Sequence, residues 1–137
     1  MKTIAEPRIT IEAFESGCIV SREFNHTAHI YVAWLYLQRY PTADAISRFT
    51  TGLRRLTAKF GVPDKYHATT SWFFLLLIAE RRTAAPSACW EEFCQKNEDL
   101  FCREHNILTR YYSSKLLASE RARTSFVLPD KVARQAA

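Results

Sequence analysis

The stretch HTAHIYVAWLYLQRYPTADAISRFTTGLRRLTAKFG, residues 26–61, decides the fold class. In its second half apolar side chains recur every three or four positions, at Ile46, Phe49, Leu53, Leu56 and Phe60. This spacing aligns them on one face of an α-helix, where they can pack against a core. The first half has a similar period and is separated from the second by Pro41, which ends a helix. The stretch therefore predicts two consecutive helices joined by a short link.

Both predicted helices have suitable starting residues. Asn25 precedes the first helix and belongs to the residue types whose side chains accept a hydrogen bond from the opening turn. Thr42 is predicted to cap the second helix in the same way. Inside the first helix, the period predicts four inward-facing residues, which are Ile30, Ala33, Trp34 and Leu37.

A third long helix is predicted from Asp64 or Lys65 through DKYHATTSWFFLLLIAERR. It is apolar on nearly every side from Trp72 to Ile78, so we expect it to be the central and most buried helix. Before residue 26, a short amphipathic stretch at residues 9–14 ends near Gly17, a residue type common just after a helix.

The C-terminal third has a weaker pattern. Ser87 is predicted to cap one or two short helices in SACWEEFCQKNEDLF. The segment YYSSKLLASERARTSF, residues 111–126, predicts one last helix with Leu116, Leu117 and Tyr112 facing inward.

Turn-forming residues are scarce, with three glycines and five prolines in 137 residues. That scarcity argues against a many-stranded sheet. The prediction is an all-α protein, a compact bundle of four to five main helices with short connections. Residues 1–137 are expected to form a single helical domain with flexible ends at 1–7 and 130–137.

Composition limits the class of protein. The chain is 47% hydrophobic, which suits a packed core, and its longest apolar run, residues 72–79, is too short to span a bilayer. The N-terminus shows no apolar leader, so we expect a soluble cytoplasmic protein whose four cysteines stay reduced. The net charge is +5, with most of the excess in residues 103–137, where a basic tail accounts for it.

The histidines are the main candidates for a site. His26 and His29 lie at the start of the first long helix, and His67 lies at the start of the third. Short links make consecutive helices antiparallel neighbours, so the first and third helices run parallel and begin at the same end of the bundle. The three imidazoles are therefore predicted to converge.

Converging imidazoles are typical of catalytic metal sites that keep one position open for water or substrate. We therefore predict a divalent transition metal bound by His26, His29 and His67, without distinguishing Zn, Fe, Cu and Mn. Tyr66 and Tyr112 are the candidate proton donors of a metal-dependent enzyme acting on a small molecule.

The motifs FNHTAHIYVAWLYL, GLRR, YHATTSW and YYSS, with a later AR and PD, resemble a family of small bacterial helical proteins. The resemblance covers about Phe14 to Asp130 and implies no particular activity. It matches the family pattern at Phe24, His26, His29, Tyr66, His67, Thr69, Trp72, Tyr112, Arg123, Pro129 and Asp130. Where the family has an acidic residue after YH, this chain has Ala68, so it would lack that carboxylate if relatives use it as a ligand or a base.

Other constellations favour other classes of site less strongly. Cys89, Cys94, Cys102 and His105 could form a zinc set, but no C-x-x-C occurs and small buried thiols are the simpler interpretation. Arg48, Arg55 and Lys59 form a basic stripe on the second helix, yet the apolar third helix does not suit a DNA groove, so nucleic acid is not favoured. Phosphate-binding loops and the G-x-S-x-G elbow are missing from the sequence.

The leading hypothesis is thus a histidine-lined, metal-binding pocket at one end of a helical bundle. The alternatives are a non-catalytic binder of a small molecule, and an interaction module that uses the basic helix face or an interface between copies of the chain.

Overall fold

The computed structural model describes residues 4–102 and 106–131. Within these ranges the chain forms seven α-helices and no strand, which confirms the all-α class. The helices are α1 Ile11–Ser16, α2 His26–Arg39, α3 Thr42–Lys59, α4 Ala68–Ala84, α5 Trp90–Lys96, α6 Ser114–Leu117 and α7 Glu120–Thr124. Short 3-10 turns occupy Ser21–Glu23, Pro63–Lys65, Glu98–Leu100 and Ile107–Arg110. The total of seven helices exceeds the predicted four to five main helices because four of the seven, α1, α5, α6 and α7, are short.

The centre of the fold is the mutual packing of α2, α3 and α4. The four residues predicted to face inward from α2 are all buried. Phe49, Leu53 and Leu56 of α3 are buried against them, as the period of three and four predicted. Trp90 and Phe93 of α5 extend the same hydrophobic cluster. The periodic pattern of residues 26–61 therefore positions the core.

α4 is less buried than predicted. Leu76 is 37% exposed, and Trp72 is only partly covered, by a stacked contact with Phe126 at 5.4 Å between ring centres. Eight of the 14 residues of α2 are buried, against seven of the 17 residues of α4. The prediction that the most apolar helix is the most buried was wrong because a short C-terminal segment covers only part of α4.

Helix starts were predicted with mixed success. Asn25 does cap α2, since its side-chain oxygen accepts a hydrogen bond from the Ala28 amide at 2.9 Å. The prediction for Thr42 was wrong, because Pro41 occupies the cap position of α3 and Thr42 is the first helical residue. Ser87 is likewise not the cap of α5, where Cys89 holds that position.

The short helix α1 is held against α3 by a close backbone approach. Gly17 ends α1 with a φ of 73°, in the left-handed region that favours glycine. Gly52 of α3 faces the Phe14 ring, and a Cβ atom at position 52 would lie 2.2 Å from a ring carbon. α1 can therefore pack this closely only because position 52 is glycine.

The predicted last helix is divided in two. The Ser119 hydroxyl donates to the Leu116 carbonyl at 2.6 Å and accepts from the Ala122 amide at 3.1 Å, so it closes α6 and opens α7. Two short helices form in place of the predicted single helix because the Ser119 side chain bonds to the backbone at the end of α6 and at the start of α7.

The chain ends were predicted to be flexible at 1–7 and 130–137. Residues 1–3 and 132–137 lie outside the described residues. Inside them, Ile4 packs against the core, and the Asp130 carboxylate accepts a hydrogen bond from the Ser113 amide at 2.8 Å. Among the helices described, none combines the length and apolar character needed to cross a membrane.

Candidate functional site

A cavity of about 350 Å³ lies at the end of the bundle where α2 and α4 begin. The C-terminal half of α3 and the link to α4 close its other sides. His26, His29 and His67 all line it, at the bundle end that helix direction predicted, but among the described residues they do not form the predicted cluster of three converging imidazoles. Their hydrogen bonds decide what they can do there.

His67 is not a side chain of the first helical turn, as predicted, but the N-cap of α4. Its Nδ1 accepts a hydrogen bond from the Thr70 amide at 3.1 Å, and the Thr70 hydroxyl lies 3.0 Å from the same nitrogen. Its Nε2 lies 2.8 Å from the Leu117 carbonyl oxygen and must be the donor, since a carbonyl only accepts. Both ring nitrogens of His67 are therefore occupied.

His26 is held in a similar way at the start of α2. Its Nε2 lies 2.7 Å from the carbonyl oxygen of Leu100 and donates to it. The Phe74 ring packs edge-on against the imidazole, 5.2 Å between ring centres. His26 thus joins α2 to the turn that follows α5, and one of its two nitrogens is committed to that contact.

The predicted metal site at His26, His29 and His67 was wrong. Among residues 4–102 and 106–131, no group of three or more His, Cys, Asp or Glu side chains is arranged to hold a metal ion. The physical reason is clearest at His67, whose only lone pair already accepts from Thr70. A metal ion bound there would remove the cap of α4. Because these three side chains do not form a ligand set, the hypothesis of a metal-dependent enzyme at this site is not supported either.

His29 differs from the other two histidines. Its imidazole forms no hydrogen bond with any residue that the structure describes, and it is partly accessible at the cavity wall. Aromatic rings of Phe24, Phe49 and Phe74 surround it edge-on, with ring centres at 6.3, 5.1 and 6.2 Å. Burial, and then the nearby His26, lowers the pKa of His29 to about 3. At neutral pH it is therefore an uncharged group with one donor and one acceptor.

The two tyrosines predicted as proton donors lie in different places. Tyr66 lines the cavity, and its ring is stacked under the Arg54 guanidinium, 5.0 Å from the ring centre. Tyr112 does not line the cavity, and its buried hydroxyl donates to the Val127 carbonyl at 2.7 Å. Only Tyr66 is therefore placed to meet a ligand, and a catalytic role for either tyrosine stays a prediction.

The apolar wall of the cavity was not predicted as part of a site. It is formed by Phe24, Leu53, Leu56, Phe60, Val62 and Phe74. The sequence pattern placed several of these residues in the core, because helical period separates buried from exposed faces but does not reveal a gap between packed helices. The only sequence feature that could have indicated this wall was the presence of large apolar side chains near helix ends.

The basic stripe of α3 is committed to contacts within the chain. Arg55 donates to the Glu15 carbonyl at 2.9 Å, and Lys59 donates to the Gly17 carbonyl at 2.7 Å. Arg48 lies over the Tyr40 ring, 4.3 Å from its centre. These cations bind the last turn of α1 and the end of α2, which accounts for the stripe without an external partner.

The cysteine set offers no zinc site in the part of the chain that is described. Cys89 is exposed whereas Cys94 is buried, and burial raises the pKa of the Cys94 thiol to about 11. A thiol that stays protonated is a poor zinc ligand. His105, the fourth member of the predicted set, lies outside the described residues.

No family model, curated protein or solved structure matches this chain.

Proposed function

We propose that the protein binds a small organic molecule in the cavity between α2, α3 and α4. The observation that carries the proposal is the unpartnered, neutral imidazole of His29 inside a largely apolar cavity of about 350 Å³. Pockets of this size that combine apolar walls with a few polar groups are typical of small-molecule sites. The ligand would cover the apolar wall and form a hydrogen bond with His29.

Three other polar groups of the cavity support a rigid, preformed site. Asn25, His67 and Ser71 line it, and each side chain is already fixed by a hydrogen bond to the chain's own backbone. Little side-chain freedom would therefore be lost when a ligand binds, which favours affinity. The His29 imidazole and the Tyr66 hydroxyl form no hydrogen bond with another described residue, so both are available to a ligand.

The proposal is tested by filling the cavity. Thr57 lines it, and its hydroxyl donates only to carbonyls of its own helix, at 3.0 Å from Leu53. Thr57→Leu should occupy cavity volume without breaking a contact between helices. Thr50→Leu is the matched control, because Thr50 lies two turns earlier on α3, makes the same type of bond to Ile46 at 2.8 Å and does not line the cavity.

The measurement is a titration of isotope-labelled protein with a panel of small aromatic and aliphatic compounds, both neutral and charged, followed by two-dimensional NMR. We expect amide shifts clustered at the starts of α2 and α4, and an affinity lowered about tenfold or more by Thr57→Leu but not by Thr50→Leu. Shifts scattered over the surface, or equal affinities for the two variants, would overturn the proposal.

A further inference from the structure

The charges around the cavity are one-sided. Among the described residues that line it, Lys65 is the only Lys or Arg, and there is no Asp or Glu. The neighbouring Asp64 carboxylate lies 3.8 Å from Arg123 and does not line the cavity. A bound cation would meet one positive charge and no negative one, whereas an anion would meet a complementary charge.

Lys65 is one of two described lysines whose ammonium group has no partner among the described residues. Lys59 and Lys131 donate to backbone carbonyls, and Lys96 pairs with Glu92 at 2.8 Å. Lys65 and Lys115 have neither a hydrogen-bond partner nor an ion pair for their ammonium groups within residues 4–102 and 106–131. Of these two, only Lys65 lines the cavity. Its charge is therefore available to a ligand.

Neutral donors line the same cavity as this ammonium group, His29 and Tyr66 among them. His29 has one ring N–H to give, and Tyr66 has a hydroxyl; neither is hydrogen-bonded to another described residue. A carboxylate accepts up to about four hydrogen bonds at its two oxygens, so it can use several of these donors at once. Its single negative charge matches the one formal positive charge.

We propose that the ligand is an organic monocarboxylate whose apolar part contacts Phe24, Phe60 and Phe74 and whose carboxylate binds Lys65, with His29 or Tyr66 as second donor. This inference rests on the proposed function and names its ligand class. It requires one formal cation and a set of neutral donors around an apolar body, which is what the cavity holds. Hydrogen bonds to a charged group are stronger than those to a neutral one, so the carboxylate should dominate selectivity.

The test compares 3-phenylpropanoate with 3-phenylpropanamide, which have nearly the same shape and differ in charge. Both are titrated into the full chain at neutral pH and low salt by calorimetry and NMR. We expect the carboxylate to bind about tenfold more tightly than the amide, and its affinity to fall with added salt while that of the amide does not. Lys65→Met should reduce the carboxylate to the affinity of the amide and leave the amide unchanged.

Lys115→Met is the matched control, since it removes the other unpartnered lysine charge from a position outside the cavity. Both lysines are exposed, so neither change should disturb the fold. Equal binding of acid and amide, or equal effects of the two lysine variants, would overturn the carboxylate inference and leave small-molecule binding standing. If neither compound nor any member of the wider panel shifts the cavity amides, both proposals fall.

Discussion

The Nε2 atom of His67 lies 2.8 Å from the backbone carbonyl oxygen of Leu117, so one imidazole joins the start of α4 to the end of α6. The other ring nitrogen caps α4 by accepting from the Thr70 amide. A residue that sequence spacing marks as a metal ligand is thus a structural link. Substitution of His67 should therefore be tested first by its effect on the free energy of unfolding.

Replacing His67 by Ala removes both the cap and the contact with Leu117. We expect the free energy of unfolding to fall by about 2 kcal/mol, combining the usual value of a lost cap with that of one hydrogen bond. His67→Asn keeps a good capping side chain that is too short to reach Leu117, so it should recover about half of the loss. Urea unfolding followed by circular dichroism measures both variants, and equal losses for Ala and Asn would show that the cap contributes nothing.

The bundle end at which the histidines lie was predictable, but their contacts were not. Two short links between three periodic segments were enough to place His26, His29 and His67 at one end of the bundle. The carbonyl oxygens that bind His26 and His67 belong to Leu100 and Leu117, 74 and 50 residues further along the chain. Those contacts depend on how the irregular C-terminal third packs, which no local pattern encodes.

In the fold, too, the features that follow the apolar pattern were predicted and those that depend on single side-chain contacts were not. α2 and α3 follow from their apolar period because tertiary packing agrees with it over three to five turns. The start of α4 and the break at Ser119 were missed because each depends on one side chain bonding to the backbone, at His67 and at Ser119. Such bonds compete with helix continuation and leave almost no trace in hydrophobic pattern.

Gly52→Ala should destabilise the protein, although Gly to Ala inside a helix is normally stabilising by about 1 kcal/mol. The added methyl group would lie 2.2 Å from a carbon of the Phe14 ring, and relief of that overlap would displace α1 from α3. We expect a net loss of about 1–3 kcal/mol in thermal or urea unfolding. Thr51→Ala, at an exposed position on the same helix, is the control and should change stability by a few tenths of a kcal/mol at most. A stabilised Gly52→Ala variant would contradict the close approach.

Thr69 holds the C-terminal segment onto α4. Its fully buried hydroxyl lies 2.7 Å from the Ala122 carbonyl and accepts from the Val127 amide at 3.2 Å. The Ser125 carbonyl lies 2.9 Å from the same hydroxyl. Thr69→Val keeps the shape of the side chain but leaves these three backbone groups without this partner, which should cost about 1–3 kcal/mol.

Thr69→Ser is the matched comparison for that prediction, because it keeps the hydroxyl and removes only a methyl group. We expect Ser to cost less than Val in urea unfolding, and limited proteolysis to cut residues 119–131 faster in the Val variant alone. The reverse order of stability would mean that methyl packing, and not the hydroxyl network, fixes this segment.

His29 should make stability depend on pH. Its pKa is about 3 in the folded protein, against an ordinary value of 6.5, because burial and the nearby His26 oppose its protonation. Between these two values the unfolded chain binds a proton that the folded chain does not, so stability is complete above about pH 6.5 and falls as the pH decreases toward 3. The slope for one such group is at most about 1.4 kcal/mol per pH unit, and partial access to solvent through the cavity reduces it.

His29→Gln removes this titration while His26 and His67 remain in both proteins. The difference in unfolding free energy between wild type and His29→Gln should therefore shift in favour of the variant as the pH is lowered from 7 to 4.5. Urea unfolding at several pH values measures that difference, and a constant difference over this range would mean that the imidazole is hydrated in the folded protein and titrates normally.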